Sequence, residues 1–86
     1  MKNIIVNYIN KITLKNIYDF AYKNNIILSD NETKILYNIL KNHYEDILAG
    51  NDEFIMKYLK EKFDENNYNK IINIYSIYKN KYKNYL

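Results

Sequence analysis

One histidine, two serines and a surplus of lysine and tyrosine are the residues of this 86-residue chain whose types could do chemistry. His43 lies in the run His43-Tyr44-Glu45-Asp46. On a helix, His43 and Asp46 are i, i+3 neighbours, the spacing at which two side chains could share a metal ion. A working site needs further ligands, and no other spacing in the chain supplies them. The pair therefore reads as a surface histidine near a helix end. Ser29 and Ser76 have no base close by in sequence, and Ser29 has a structural task as a helix cap. The absence of Cys removes thiol nucleophiles, disulfide scaffolds and the common zinc modules. A single glycine, Gly50, cannot build a phosphate-cradling loop, and Asp30, Glu32 and Asp52 lack the central glycine of a calcium loop. The expectation is a protein that is not an enzyme, with no catalytic residue, metal, cofactor or small-molecule substrate.

Lysine and tyrosine raise a second chemistry, that of bases stacking on aromatic rings along a cationic groove. Composition weakens that reading. Asn, Ile, Lys and Tyr supply 55 of 86 residues, while Arg and Pro are missing. All four can be encoded without G or C, so mutational bias in an AT-rich, bacterial-type genome yields the same excess with no ligand. Nucleic-acid sites favour Arg, whose planar fork matches phosphate and guanine, and this chain has none. The charge is nevertheless uneven. Residues 1–28 carry four Lys and one Asp, residues 29–65 five Lys and nine acids, and residues 66–86 four Lys (Lys70, Lys79, Lys81 and Lys83) with no acid. Those four lysines are the candidate anion-binding strip.

The elements that must position these residues are helices. Apolar residues recur at 3.6-residue spacing in five segments, and no stretch alternates as a strand does. Ile4, Ile5, Tyr8, Ile9 and Ile12 form one face. Thr13 offers an N-cap to a second helix with the stripe Leu14, Ile17, Tyr18 and Ala21, which Asn24-Asn25 can end in the left-handed conformation. Ser29 and Glu32 form a capping box at the head of a third helix carrying Ile35, Leu36, Ile39 and Leu40. That helix runs on to Ala49, with Gly50 as its left-handed stop, or breaks near Asn42-His43. Asn51 or Asp52 caps a fourth, with the stripe Phe54, Ile55, Tyr58, Leu59 and Phe63. Asp64 to Asn67 reads as turn plus cap, and a final helix extends from about Tyr68 towards Leu86. The expected fold is an all-α bundle of about five helices in one domain spanning 1–86, held by packing because Ile and Asn are indifferent helix formers. No apolar run is long enough for a signal peptide or membrane span, so a cytoplasmic location without membrane contact is expected.

Residues 13–41 have the helix, short turn and capped helix of a helix-turn-helix. The second of these helices opens on Asp30-Asn31-Glu32, and acids there repel the phosphate backbone that dominates DNA affinity. Nucleic-acid binding, through that segment or the basic C-terminal helix, is therefore the alternative. The leading expectation comes from the last helix. Tyr68, Ile71, Tyr75, Tyr78, Tyr82 and Tyr85 follow a 3-4-3-4-3 packing register, while Ile72, Ile74 and Ile77 fall outside it. A helix apolar over more than one face needs more cover than a small chain offers. Ile72, Ile77, Tyr78, Tyr82 and Tyr85 are thus the candidate surface for a protein partner or for self-association.

The order Ile9-Asn10-Lys11-Ile12-Thr13, then Phe20-Ala21, Ile26 and Ser29-x-x-Glu32, resembles a small uncharacterised family of Firmicutes helical proteins, the YqfT-like family. The resemblance covers about residues 6–82 and its motifs are mostly structural. It implies a cytoplasmic helical protein, with no catalytic residues to carry over. Lack of Arg and Pro is a departure from that family's usual look.

Overall fold

Capping chemistry sets where the helices of this protein begin and end. The computed structural model describes the backbone of residues 2–82 and the side chains of residues 4–81. Among these are five helices and no strand: α1 (Lys2–Lys11), α2 (Leu14–Lys23), α3 (Asp30–Leu48), α4 (Glu53–Lys62) and α5 (Glu65–Tyr82). The chain is the expected all-α bundle.

Thr13 caps α2 through a reciprocal box in which Thr13 Oγ1 accepts from the Asn16 amide at 3.1 Å and the Thr13 amide donates to Asn16 Oδ1 at 3.0 Å. The far end of α2 is a Schellman turn with asparagine where glycine is usual. Asn25 adopts φ +64°, its amide donates to Tyr22 O at 3.0 Å, and the Ile26 amide donates to Ala21 O at 2.9 Å. Ile26, the residue after the turn, is fully buried, so turn and core fix each other. Gly50 does the same for α3 at φ +82°, with Gly50 N to Ile47 O at 3.1 Å and Asn51 N to Asp46 O at 2.8 Å. Both expected stops are therefore present.

The two sequence alternatives for α3 prove compatible. The helix is hydrogen-bonded from Asp30 to Leu48, yet His43 has non-helical angles (φ −130°, ψ 17°) and kinks it. α5 begins at Glu65, three residues before the expected start, because Asp64 serves as its cap: Asp64 Oδ1 accepts from the Asn67 amide at 3.0 Å.

Packing places α3 beside α1 and α2, while α5 lies on α4. The core comes mainly from Ile17 and Ala21 of α2, Ile26 and Leu28 of the connector, Ile35 and Ile39 of α3, and Ile55, Leu59 and Phe63. Several expected stripe residues face outward instead. Ile4 and Tyr8 of α1, Leu14 and Tyr18 of α2, and Phe54 and Tyr58 of α4 are exposed. The bundle is too small for each helix to be covered on its full apolar width, so one line of each stripe is buried and the next is left at the surface.

Lysine contacts tie helix ends across the bundle. Lys41 Nζ donates to Asn10 O at 2.8 Å, and Lys70 Nζ to Asn25 O at 3.0 Å. Each ammonium meets a carbonyl at or just beyond a helix C-terminus, where the backbone dipole is negative.

Candidate functional site

Two contrasting arrangements join the α1–α3 lobe to the α4–α5 lobe. The first is polar and closed. The Glu32 carboxylate, 6% exposed, accepts from the Ser29 amide at 3.0 Å and from Asn67 Nδ2 at 2.9 Å through Oε1. Its Oε2 accepts from the Asp64 amide at 3.2 Å. One side chain therefore completes the capping box of its own helix and also caps α5. Asn67 Nδ2 donates in addition to Ile27 O at 3.0 Å, and Thr33 Oγ1 to Ser29 O at 2.9 Å. Among the described residues no buried side-chain nitrogen or oxygen is left without a partner. A carboxylate in this setting, 6% exposed and accepting three hydrogen bonds, is committed to structure.

The second arrangement is apolar and open. A groove of about 310 Å³ runs between the lobes. Its lining includes Ile17 and Ala21 of α2, Ile39 of α3, Ile55 and Leu59 of α4, and Ile71 and Ile74 of α5. Three aromatic rings stand at its mouth: Tyr8 (65% exposed), Phe20 (46%) and Tyr78 (41%). Phe20 on α2 and Tyr78 on α5 meet across the opening with ring centroids 6.0 Å apart and planes tilted by 54°. The lining is hydrocarbon and thioether apart from Asn16 and the tyrosine hydroxyls. Such a surface is wetted poorly and gains most from contact with apolar groups.

Tyr75 lines the same groove, and its hydroxyl donates to Asp52 Oδ2 at 2.5 Å. Lys79 Nζ reaches the same oxygen at 2.9 Å and lies 5.7 Å from the Tyr75 ring centroid. Asp52 occupies the expected cap position before α4, but its side chain makes no cap bond there. It turns to α5 instead. The Tyr75 hydroxyl first, and the Lys79 ammonium second, hold the Asp52 carboxyl below its ordinary range. Burial, followed by the hydrogen bond to the Asp52 carboxylate and then its charge, pushes the Tyr75 phenol upward. This cluster joins the α3–α4 turn to α5.

A second cleft of about 380 Å³ opens between α3 and α4 at the kink, lined by Asn38, Asn42, His43, Phe54 and Tyr58 among others. His43 meets Phe54 edge-on at 5.4 Å and its Nδ1 lies 3.3 Å from Asp46 Oδ2. Among the described residues no group of three or more His, Cys, Asp or Glu side chains is placed to hold a metal ion.

The candidate partner-binding residues are separated by the fold. Tyr78 lines the groove, whereas Ile77, which is exposed, and Ile72, which is half-buried, are not among its lining residues. Ile74, expected outside the packing seam, lines the groove and packs on the core together with Tyr68 and Ile71. The side chain of Tyr82, and the whole of Lys83 and Tyr85, lie outside the described residues. Of the lysine strip, Lys70 is spent on Asn25 O and Lys79 on Asp52. Lys81 is exposed one turn beyond Tyr78. In the helix-turn-helix segment, the head of α3 is clamped to the head of α5 through Glu32, so its first turn is engaged within the molecule.

Tyr8 and Phe20 were missed as site residues. A signal was available for Phe20, which lies off the Leu14-Ile17-Tyr18-Ala21 stripe; Tyr8 lies on the expected α1 stripe, and nothing in the sequence sets it apart.

Comparison of the chain with protein families, curated proteins and solved structures returns no match. The likeness to the YqfT-like family rests on the residues quoted for it. Among the described residues no helix is long and apolar enough to cross a membrane.

Proposed function

We propose that this protein is a non-enzymatic, cytoplasmic interaction module that docks an amphipathic helix of a protein partner in the groove between its two lobes. The observation that carries this reading is the pairing of an apolar groove with exposed Tyr8, Phe20 and Tyr78 at its mouth. Its volume of about 310 Å³ suits two or three large aliphatic or aromatic side chains, the usual anchors of a helix laid in a groove. Aromatic residues at the rim of an apolar pocket supply much of the energy in such contacts. Exposed Ile77 extends the apolar surface along α5 and favours that helix as one edge of the contact.

Nucleic-acid binding receives less support, since two strip lysines are committed to partners within the chain and the head of α3 is clamped. Selection from a displayed library of random helical peptides tests the docking reading. Expected are binders with apolar residues at i, i+3 or i+4, and i+7 whose affinity falls at least about tenfold with Phe20→Ser. Binders indifferent to Phe20→Ser and Tyr8→Ser would rule the groove out. Sedimentation of the protein alone at micromolar concentration checks whether a second copy takes the partner's place.

A further inference from the structure

The cleft at the α3 kink shares only Ile39 and Ile55 with the groove between the lobes, so it is a separate site. Its isoleucines are buried, whereas Asn38 and Asn42 of α3 and Phe54 and Tyr58 of α4 line it as exposed residues. Asn38 and Asn42 stand four apart on one helix, and Phe54 and Tyr58 stand four apart on the other. That spacing gives the cleft a pair of carboxamides from one side and a pair of rings from the other. His43 meets Phe54 with ring planes at 75°, so it borders that ring at the kink. The lining contains no ammonium and no carboxylate.

An asparagine carboxamide offers an N–H donor and a carbonyl acceptor side by side in one plane. Asn24 and Asn67 use their amides inside the chain, donating to Phe20 O and to Ile27 O and Glu32. Those of Asn38 and Asn42 are exposed at the cleft, with no such bond among the described residues. A planar heterocycle with a donor and an acceptor adjacent on one edge answers both parts of the lining. It stacks on a ring and pairs with a carboxamide, as adenine does with asparagine. An aliphatic side chain would leave the carboxamides without a partner, and a phosphate would find no cation. The volume of about 380 Å³ falls in the range of about 300–1,000 Å³ usual for small-molecule sites. We infer that this cleft binds a neutral planar heterocycle of the adenine type, as free base or nucleoside, through Asn38, Asn42, Phe54 and Tyr58.

Titration of the full chain with adenosine, followed by NMR, tests the inference. Saturable shifts are expected at Asn38, Asn42, Phe54 and Tyr58, with a Kd of about 1 mM or lower. The 6-dimethylamino analogue keeps the rings and loses the donor, so it should bind about tenfold more weakly. Asn38→Ala with Asn42→Ala should weaken adenosine to the level of the analogue and leave the analogue unchanged. Both side chains are exposed, and the analogue needs no variant, so the test does not hang on the fold of a mutant. Adenine titrated alongside separates the two sources: equal affinity places the contact on the base, and stronger adenosine binding adds the sugar to it. No saturation up to about 10 mM adenosine overturns the inference, as do shifts confined to Tyr8, Phe20 and Tyr78 of the groove. Affinity indifferent to dimethylation or to the asparagine substitutions reduces the cleft to an aromatic patch and overturns it too. Binding seen only with an oligonucleotide, and falling steeply with salt, assigns the contact to phosphate and has the same consequence.

Discussion

Glu32 and Phe20 mark two places where the α1–α3 lobe meets α5, and the two meetings follow opposite physical rules. At Glu32 a buried carboxylate accepts from the Ser29 and Asp64 amides and from Asn67 Nδ2, so both of its oxygens are engaged within the molecule. At Phe20 the lobes touch through one ring contact with Tyr78 over an apolar groove. A directional network enforces one geometry, because any shift leaves a buried polar group unpaired. Apolar contact is non-directional and tolerates a replacement of similar size. The polar clasp thus fixes one geometry at its end of the boundary, and the groove is the part of that boundary to which the docking proposal assigns a partner.

The largest way to break this contrast is at the clasp. Glu32→Ala should cost about 3 kcal/mol, since it strands the Asn67 amide and two helix-cap amides in a buried site. Urea unfolding measures it, and a loss under about 1 kcal/mol would show that water takes over those bonds freely. Next is the second anchor of α5. Tyr75→Phe should cost about 1.5 kcal/mol by removing the charged hydrogen bond to Asp52.

That cluster also sets a pH window. The Asp52 carboxyl is lowered in the fold from an ordinary 3.8, so its contribution is present above about pH 4 and is lost as the pH falls through the lower folded value. Tyr75 is raised from an ordinary 10.0, so its contribution is complete below about pH 10 and declines as the pH climbs beyond it. Thermal melts across pH should show both edges in the native chain, and Tyr75→Phe should remove its share of the alkaline one.

Gly50→Ala should cost about 1 kcal/mol. A Cβ there meets nothing within 4 Å, so the penalty is the left-handed backbone at φ +82° alone. The smallest effect belongs at the groove mouth. Tyr8→Ser should shift stability by no more than about 0.5 kcal/mol because the ring is largely in solvent. A loss at Tyr8 equal to that at Glu32 would dissolve the distinction between a closed boundary and an open one.

Local signals were the readable part of this chain. The Ser29-Glu32 box, the Asn25 and Gly50 stops and the Thr13 cap depend on neighbours within five residues, and each stands where the sequence places it. The candidate site was legible only in part. Of the candidate residues Tyr78 lines the groove, while Phe20 and Tyr8 join it from helices whose orientation no local rule supplies. Asp52 shows the same limit. Its type and position spell a helix cap, but its carboxylate bonds to residues 23 and 27 positions further along the chain.

The sequence by itself determined five helices and the stops at Asn25 and Gly50, because hydrogen bonds within a turn are decided by residues a few positions apart. It also determined the uneven charge, since charge order is written directly in the chain. Tertiary structure alone decided which line of each apolar stripe is buried, that Glu32 caps two helices at once, and that Asp52 serves α5. Those outcomes depend on how the lobes pack, and packing is settled by shape and burial summed over the whole molecule.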